Sequence, residues 1–326
     1  MPGSVAERIF DSDRFVSAGA AEFVHTAGLY EGDHGLLPLV VTFVDAGVAA
    51  GEPVVIALSG EHADMVRSVL PASPGITYLP DGYTRPASIV SVLLGVLRAH
   101  AETSPGRLRI VGELATASLT PSTWGPWARY EAAVNHLYAP YTATAMCAYD
   151  TTTMSEQVLA DVVATHPDLT GTDGSQPNDR FQDPIAFLQN VTAPRDELEA
   201  TRPVAEAVDP DPALARQWVS AAAEGCSVAS DVLADLLVGV SEVVTNARLY
   251  GRAPVVLRVW TAPDRMVVVV SDRGAGPSFP YAGLVPVDGK PGGRGLWITH
   301  QLCGQVDHLV GPDGFAVRLS TSPPPG

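Results

Sequence analysis

The residues best suited to chemistry fall into four groups. Glu242 and Asn246 stand four apart in "SEVVTN" (241–246), inside an apolar stretch that fits a helix. Positions i and i+4 share one helical stripe, so a carboxylate able to take a proton and an amide able to ligate a cation would lie side by side. Taken alone, this pair fits a solvated helix face equally well. Asp272 follows in "SDRGAGP" (271–277), where Gly274 and Gly276 allow the backbone to approach a ligand closely. "KPGGRGLW" (290–297) is a Gly-rich segment running into a helix start, where free N–H groups and the positive dipole end suit phosphate. The fourth group, His25, Tyr30, Cys147 and Tyr149, stands on early strand candidates. These residues either fill strand interiors or line a pocket for a ligand or metal.

Strand candidates lie at 23–30, 53–59, 75–80, 107–114 and 142–150, with helix candidates at 34–50, 60–70, 86–102, 125–138 and 155–165. This alternation predicts an α/β domain with a mostly parallel sheet and helices on both faces. No G-x-x-x-x-G-K-[ST] or G-x-G-x-x-G follows any of these strands, which argues for sensing or scaffolding there. Trp124 and Trp127 are expected in the core. Residues 166–212 are rich in Pro, Gly, Asp and Thr, predicting a loose tail and then a linker, with "PIAFLQNV" packing back on the first domain. Beyond them come a helix over 212–224 capped by Asp209 or Asp211, a long helix ending at Gly251, and strands "PVVLRVWT" and "MVVVVSD". A short helix "GLWITHQLC" and strands "QVDHLV" and "GFAVRLST" complete an α+β sandwich. The expected division is 1–190, a linker over 191–210, and 211–326.

Composition narrows the classes. The net charge is −16, concentrated early: residues 1–208 hold 25 acids against 11 Lys or Arg, and residues 209–326 hold 11 against 9. Such an acidic surface disfavours a nucleic-acid ligand. No run approaches the roughly 20 apolar residues of a membrane span. With no secretory pattern at the N-terminus, a soluble cytoplasmic protein is expected. Cys147, Cys226 and Cys303 are scattered and odd in number, predicting reduced thiols.

The ordered set E-x-x-x-N, D-x-G-x-G and G-x-G-L resembles the ATP-binding boxes of the GHKL class, shared by gyrase, the heat-shock chaperone, histidine kinases and MutL. The wording "SEVVTNA" and "GGRGLW" is similar to the RsbW-like anti-sigma-factor serine kinases. The resemblance implies ATP and Mg²⁺ as cofactors. It assigns Asn246 to Mg²⁺, Glu242 to orienting or deprotonating the attacking group, and Asp272 to the adenine amino group. Gly274, Gly276, Gly293, Gly295 and Leu296 would line the nucleotide, with Lys290 and Arg294 near its phosphates. That family often ends its long helix with His-Gly, where this chain has "LYG", so the resemblance supports nucleotide binding more than turnover. A histidine-kinase reading is disfavoured, because His166 is followed directly by Pro167, which biases the chain out of helix at that point.

The first domain is similar to the MEDS sensory domain, through "FVHTAGLYEGDHGLLPLVVTFVDAGVAAGEPVVIAL", "VGEL", "YEAAVNHLYA" and "MCAYDTTTMSEQVLADVVATHP". The combination resembles RsbA-family anti-sigma regulators and implies a RecA-like sheet without the phosphate loop. It also implies a sigma factor and an anti-anti-sigma (STAS) protein as partners, a small-molecule ligand of the first domain, and a homodimer. Phosphorylation of a Ser or Thr on the anti-anti-sigma partner is the implied activity. A non-catalytic partner-switching module with a degenerate nucleotide site is the alternative.

Overall fold

The structure is a computed structural model that describes residues 22–70, 73–79, 85–115, 119–191, 193–287 and 293–321. Its contacts divide the chain into two compact units with the main boundary between Asn190 and Val191.

The first unit is the expected α/β domain. Its strands are β1 (Phe23–Tyr30), β2 (Val54–Ala57), β3 (Ile76–Tyr78), β4 (Leu108–Glu113) and β5 (Ala143–Asp150), followed by β6 (Asp168–Gly171) and β7 (Gly174–Pro177). They form one sheet in the order β3-β2-β4-β5-β1-β6-β7, parallel except for the β6–β7 hairpin. Helices α1 (Gly32–Ala49), α2 (Gly60–Val69), α3 (Pro86–Thr103), α4 (Trp124–Leu137), α5 (Glu156–Thr165) and α6 (Pro184–Asn190) supply the crossovers and the final cover. Side chains alternate between the two faces of a strand. Tyr30, Met146 and Ala148 accordingly join Leu36, Leu39, Val40 and Phe43 of α1 in one apolar layer. Residues of opposite parity, His25, Cys147 and Tyr149, face the other way, toward α4. Trp124 and Trp127 are buried as expected, and the Trp124 indole N–H donates to Asp161 Oδ2 at 2.9 Å. The β6–β7 hairpin falls where composition suggested a loose tail, because its strands are short and built from residues of low strand propensity. The "PIAFLQNV" island forms α6 and buries Phe187.

The second unit is an antiparallel sheet, ordered β11-β12-β10-β9-β8, with helices on one face. Its elements are β8 (Ala205–Val208), α7 (Pro212–Ala223), α8 (Ser230–Tyr250), β9 (Val256–Thr261), β10 (Met266–Asp272), α9 (Gly295–Leu302), β11 (Gln305–Gly311) and β12 (Gly314–Ser320). Asp211 caps α7, its carboxylate accepting from the Leu214 N–H at 2.8 Å. On α8, Leu236, Val240, Val243, Val244 and Ala247 recur at helical spacing and bury against Leu257, Val268, Val317 and Leu319 of the sheet.

The expected linker at 191–210 is instead built into this unit. A 3-10 turn at Glu197–Ala200 precedes β8, which pairs with β9 through Ala205↔Val259 and Val208↔Val256. Asp196, itself buried, receives both terminal nitrogens of buried Arg265 at 2.8 and 2.9 Å. The Pro- and acid-rich composition hid an edge strand and half of a buried ion pair, neither of which needs an apolar run. None of the three cysteines forms a disulfide. Among the described residues, no helix is long and apolar enough to cross a membrane.

Candidate functional site

Helix α8 turns its apolar face to the sheet and leaves Glu242 and Asn246 half-buried on the adjoining stripe. The N-terminus of α9 meets that stripe at Gly295. A Cβ added there would stand 2.5 Å from Glu242 Oε2 and 3.1 Å from Asn246 Nδ2. Glycine at 295 permits this close approach: α9 begins directly against the carboxylate and the amide, two boxes almost fifty residues apart.

Asp272 ends β10 and is buried. Its Oδ1 accepts backbone N–H groups from Arg252 at 3.0 Å and Gly274 at 2.6 Å. Both bonds fall on Oδ1, which leaves Oδ2 as an acceptor for a ligand amino group. Two glycines make this clamp possible. A Cβ at Gly251 would collide with the Asp272 carboxylate and stand 2.5 Å from the Ala247 carbonyl; one at Gly274 would lie 2.6 Å from Asp272 Oδ1. Gly276 adopts φ +79°, and a Cβ there would meet the Phe315 ring at 2.6 Å, so the chain turns directly over that ring.

These elements enclose a cavity of ≈ 390 Å³. Asn246, Asp272, Gly276, Gly293 and Leu296 line it, and Tyr250, Phe279, Val287 and Phe315 supply apolar walls. A largely apolar pocket with a few placed polar groups suits a planar heterocycle held by one amino-group contact. Glu242, Gly274, Arg294 and Gly295 do not line the cavity. Glu242 and Gly295 sit together at its α8–α9 edge, Gly274 positions Asp272, and Arg294 is exposed at the residue preceding α9. Lys290 lies outside the described residues. Gly251 and the aromatic walls escaped the sequence reading. Gly251 was legible only as a helix stop, and the aromatics resemble ordinary core residues.

In the first unit the four nominated residues separate. The register pairs Ala27 with Cys147 and His25 with Ala145, placing His25, Cys147 and Tyr149 on one face. Cys147 Sγ is 3.5 Å from His25 Nε2, and Tyr149 donates its hydroxyl to Glu131 Oε1 at 2.5 Å. Tyr30 has the opposite parity and does not join them. Its hydroxyl donates to Glu113 Oε1 at 3.1 Å, in a second group where His62 Nδ1 lies 2.7 Å from the same oxygen. Burial next to Glu113 pushes the Tyr30 phenol above its ordinary range. The sequence reading missed Glu131 and His166, which complete the His25–Cys147 group. Glu131 and Asn135 have the same E-x-x-x-N spacing as Glu242 and Asn246, so spacing alone does not distinguish the two pairs, and the glycine boxes that follow the later pair are what set it apart. Burial lowers the His25 pKa to about 4 and that of His166 to about 3, while it raises those of Glu131 and Cys147.

Comparison with protein families divides the chain in the same way. Residues 24–167 match the MEDS model, described as the methanogen/methylotroph, DcmR sensory domain. Residues 207–321 match the histidine kinase-like ATPase domain. The curated proteins give no match to the chain. The chain thus joins an N-terminal MEDS sensory domain to a C-terminal histidine kinase-like ATPase domain, a pairing that fits a regulatory protein.

Proposed function

We propose that the C-terminal domain binds ATP with Mg²⁺ and acts as an anti-sigma module under control of the sensory domain. The observation that carries the nucleotide reading is the convergence of Asn246, Asp272, Gly276, Gly293 and Leu296 on one cavity of ≈ 390 Å³. Asp272 Oδ2 would accept the adenine amino group, its orientation fixed by the two backbone donors on Oδ1. Tyr250, Phe279 and Phe315 would cover the ring faces. Asn246 would hold Mg²⁺ through its amide oxygen, and the N-terminal end of α9 at Gly295 would face the phosphates. Bound Mg²⁺ would neutralise phosphate charge, the main requirement of phosphoryl transfer. Glu242, which lies beside Gly295, would take a proton from a Ser or Thr hydroxyl of an anti-anti-sigma protein.

The sigma-factor and anti-anti-sigma partners rest on the resemblance of "SEVVTNA" and "GGRGLW" to the RsbW-like kinases, and a homodimer is part of the same reading. One observation favours a second version without transfer. Glu242 lies at the edge of the cavity and does not line it, so nucleotide occupancy alone could set partner exchange.

The test is titration of the full chain with ATP, with and without Mg²⁺, followed by incubation with labelled ATP and a purified anti-anti-sigma partner. Saturable binding that is lost in Asp272→Ala and loses its Mg²⁺ dependence in Asn246→Ala is expected. Label on the partner that disappears in Glu242→Gln establishes transfer, whereas binding and partner exchange without label select the second version. Failure of the folded wild-type chain to bind ATP overturns both.

A further inference from the structure

We propose that His25, Glu131, Cys147 and His166 form a buried tetrahedral site for a divalent transition metal of the zinc type. These residues come from β1, α4, β5 and the junction after α5, and their ligating atoms all lie within 4.8 Å of one another. His25 Nε2 and His166 Nε2 stand 3.4 and 3.5 Å from Glu131 Oε2. Cys147 Sγ stands 3.5 Å from His25 Nε2 and 3.7 Å from Glu131 Oε2. Tetrahedral zinc sites, with bonds of about 2.0–2.3 Å, separate their donor atoms by about 3.3–3.7 Å. The four distances given fall in that interval, and the two remaining pairs, from His166 Nε2 to His25 Nε2 and to Cys147 Sγ, lie within 4.8 Å.

The surrounding hydrogen bonds aim lone pairs inward. His166 Nδ1 lies 2.7 Å from the Val162 carbonyl, which can only accept, so the proton is on Nδ1 and Nε2 is bare. Asn135 commits its Nδ2 to the carbonyls of Glu131 at 3.0 Å and Thr165 at 2.8 Å. Its Oδ1 therefore accepts from His25 Nδ1 at 3.1 Å, leaving His25 Nε2 bare as well. Outer hydrogen bonds of this kind orient metal-ligating histidines, and Tyr149 does the same for Glu131. His166 Nε2 is buried and has no hydrogen-bond partner among the described residues, although it points into the cluster. A buried acceptor left in this state costs about 1–3 kcal/mol.

A divalent cation resolves the arrangement. Its binding expels the Cys147 thiol proton, and any proton on Glu131, to solvent. The ion then forms bonds to sulfur, to the carboxylate and to two neutral imidazoles. Thiolate plus carboxylate balance a charge of +2, so the buried site becomes neutral overall. The mixed nitrogen, sulfur and oxygen set favours zinc-type ions over Mg²⁺ or Ca²⁺, which take oxygen ligands. Cys147 is the one ligand of the four that keeps partial exposure. On β4 its register partner is Gly112, where a Cβ would meet nothing within 4 Å.

The experiment loads the full chain with Co²⁺ and with Zn²⁺ after dialysis against chelator, and compares wild type with Cys147→Ser and His166→Ala. Expected are one Co²⁺ per chain, the intense visible bands of tetrahedral cobalt, and a near-ultraviolet sulfur-to-cobalt band that Zn²⁺ abolishes. Cys147→Ser loses the sulfur band, and Asn135→Ala weakens binding about 10–100-fold. Only weak octahedral cobalt bands in folded wild-type protein would overturn the site, as would a sulfur band that persists in Cys147→Ser. Should either variant fail to fold, the wild-type spectrum decides alone, and absence of the sulfur band overturns the proposal.

Discussion

Replacing Gly295 by alanine separates a structural role for the α8–α9 contact from a functional one. The new Cβ would stand 2.5 Å from Glu242 Oε2, and ordinary contact begins near 3.4 Å, so the carboxylate must retreat by about 0.9 Å. Asn246 Nδ2, at 3.1 Å, must shift by about 0.3 Å by the same comparison. Glu242 is flexible and half-buried, and moving it off its rotamer costs about 0.5–1.5 kcal/mol. Alanine at the start of α9 regains up to about 1 kcal/mol of helix propensity over glycine. Folding stability should therefore change by less than about 1 kcal/mol. A misplacement near 1 Å at a reacting group lowers transfer by about 100-fold. Loss of one hydrogen bond to a charged ligand weakens Mg²⁺-dependent ATP affinity by about tenfold or more. Thermal unfolding, ATP titration at fixed Mg²⁺ and labelled-phosphate transfer measure the three quantities. Wild-type affinity in a folded Gly295→Ala protein would refute the shared site, and a large loss of stability would refute the assignment of Gly295 to function.

Three further outcomes follow from the packing. Asp272→Ala leaves the Arg252 and Gly274 N–H groups without their acceptor, so it should lower stability by about 1–3 kcal/mol and abolish measurable ATP binding. Retained binding by calorimetry would remove Asp272 from the site. Arg265→Ala strands the buried Asp196 carboxylate and should destabilise the C-terminal unit by about 3–5 kcal/mol in denaturant unfolding. A change below about 1 kcal/mol would show that residues 191–210 do not belong to that unit's fold. Leu36→Ala removes a fully buried side chain from the layer under α1 and should destabilise the sensory unit by about 2–5 kcal/mol, with nucleotide affinity unchanged.

Local pattern by itself determined most of the elements. Alternating β-branched runs and helical periodicity placed β1 to β5 and the helices between them, because each element's period follows from which of its faces must be buried. It also marked Glu242, Asn246, Asp272 and the Gly boxes as an ordered set, since their spacing and glycine content are features of the chain itself. Tertiary structure decided what those residues touch. Gly295 reached Glu242 only once α8 and α9 packed, and the clamp on Asp272 needed Gly251 from the far end of α8. Strand register sent Tyr30 to one face and His25 and Cys147 to the other. It was packing from α4 and the end of α5 that brought Glu131 and His166 to that second face. A chain position fixes a side chain's chemistry and its local parity, whereas the company it keeps depends on elements far away in sequence.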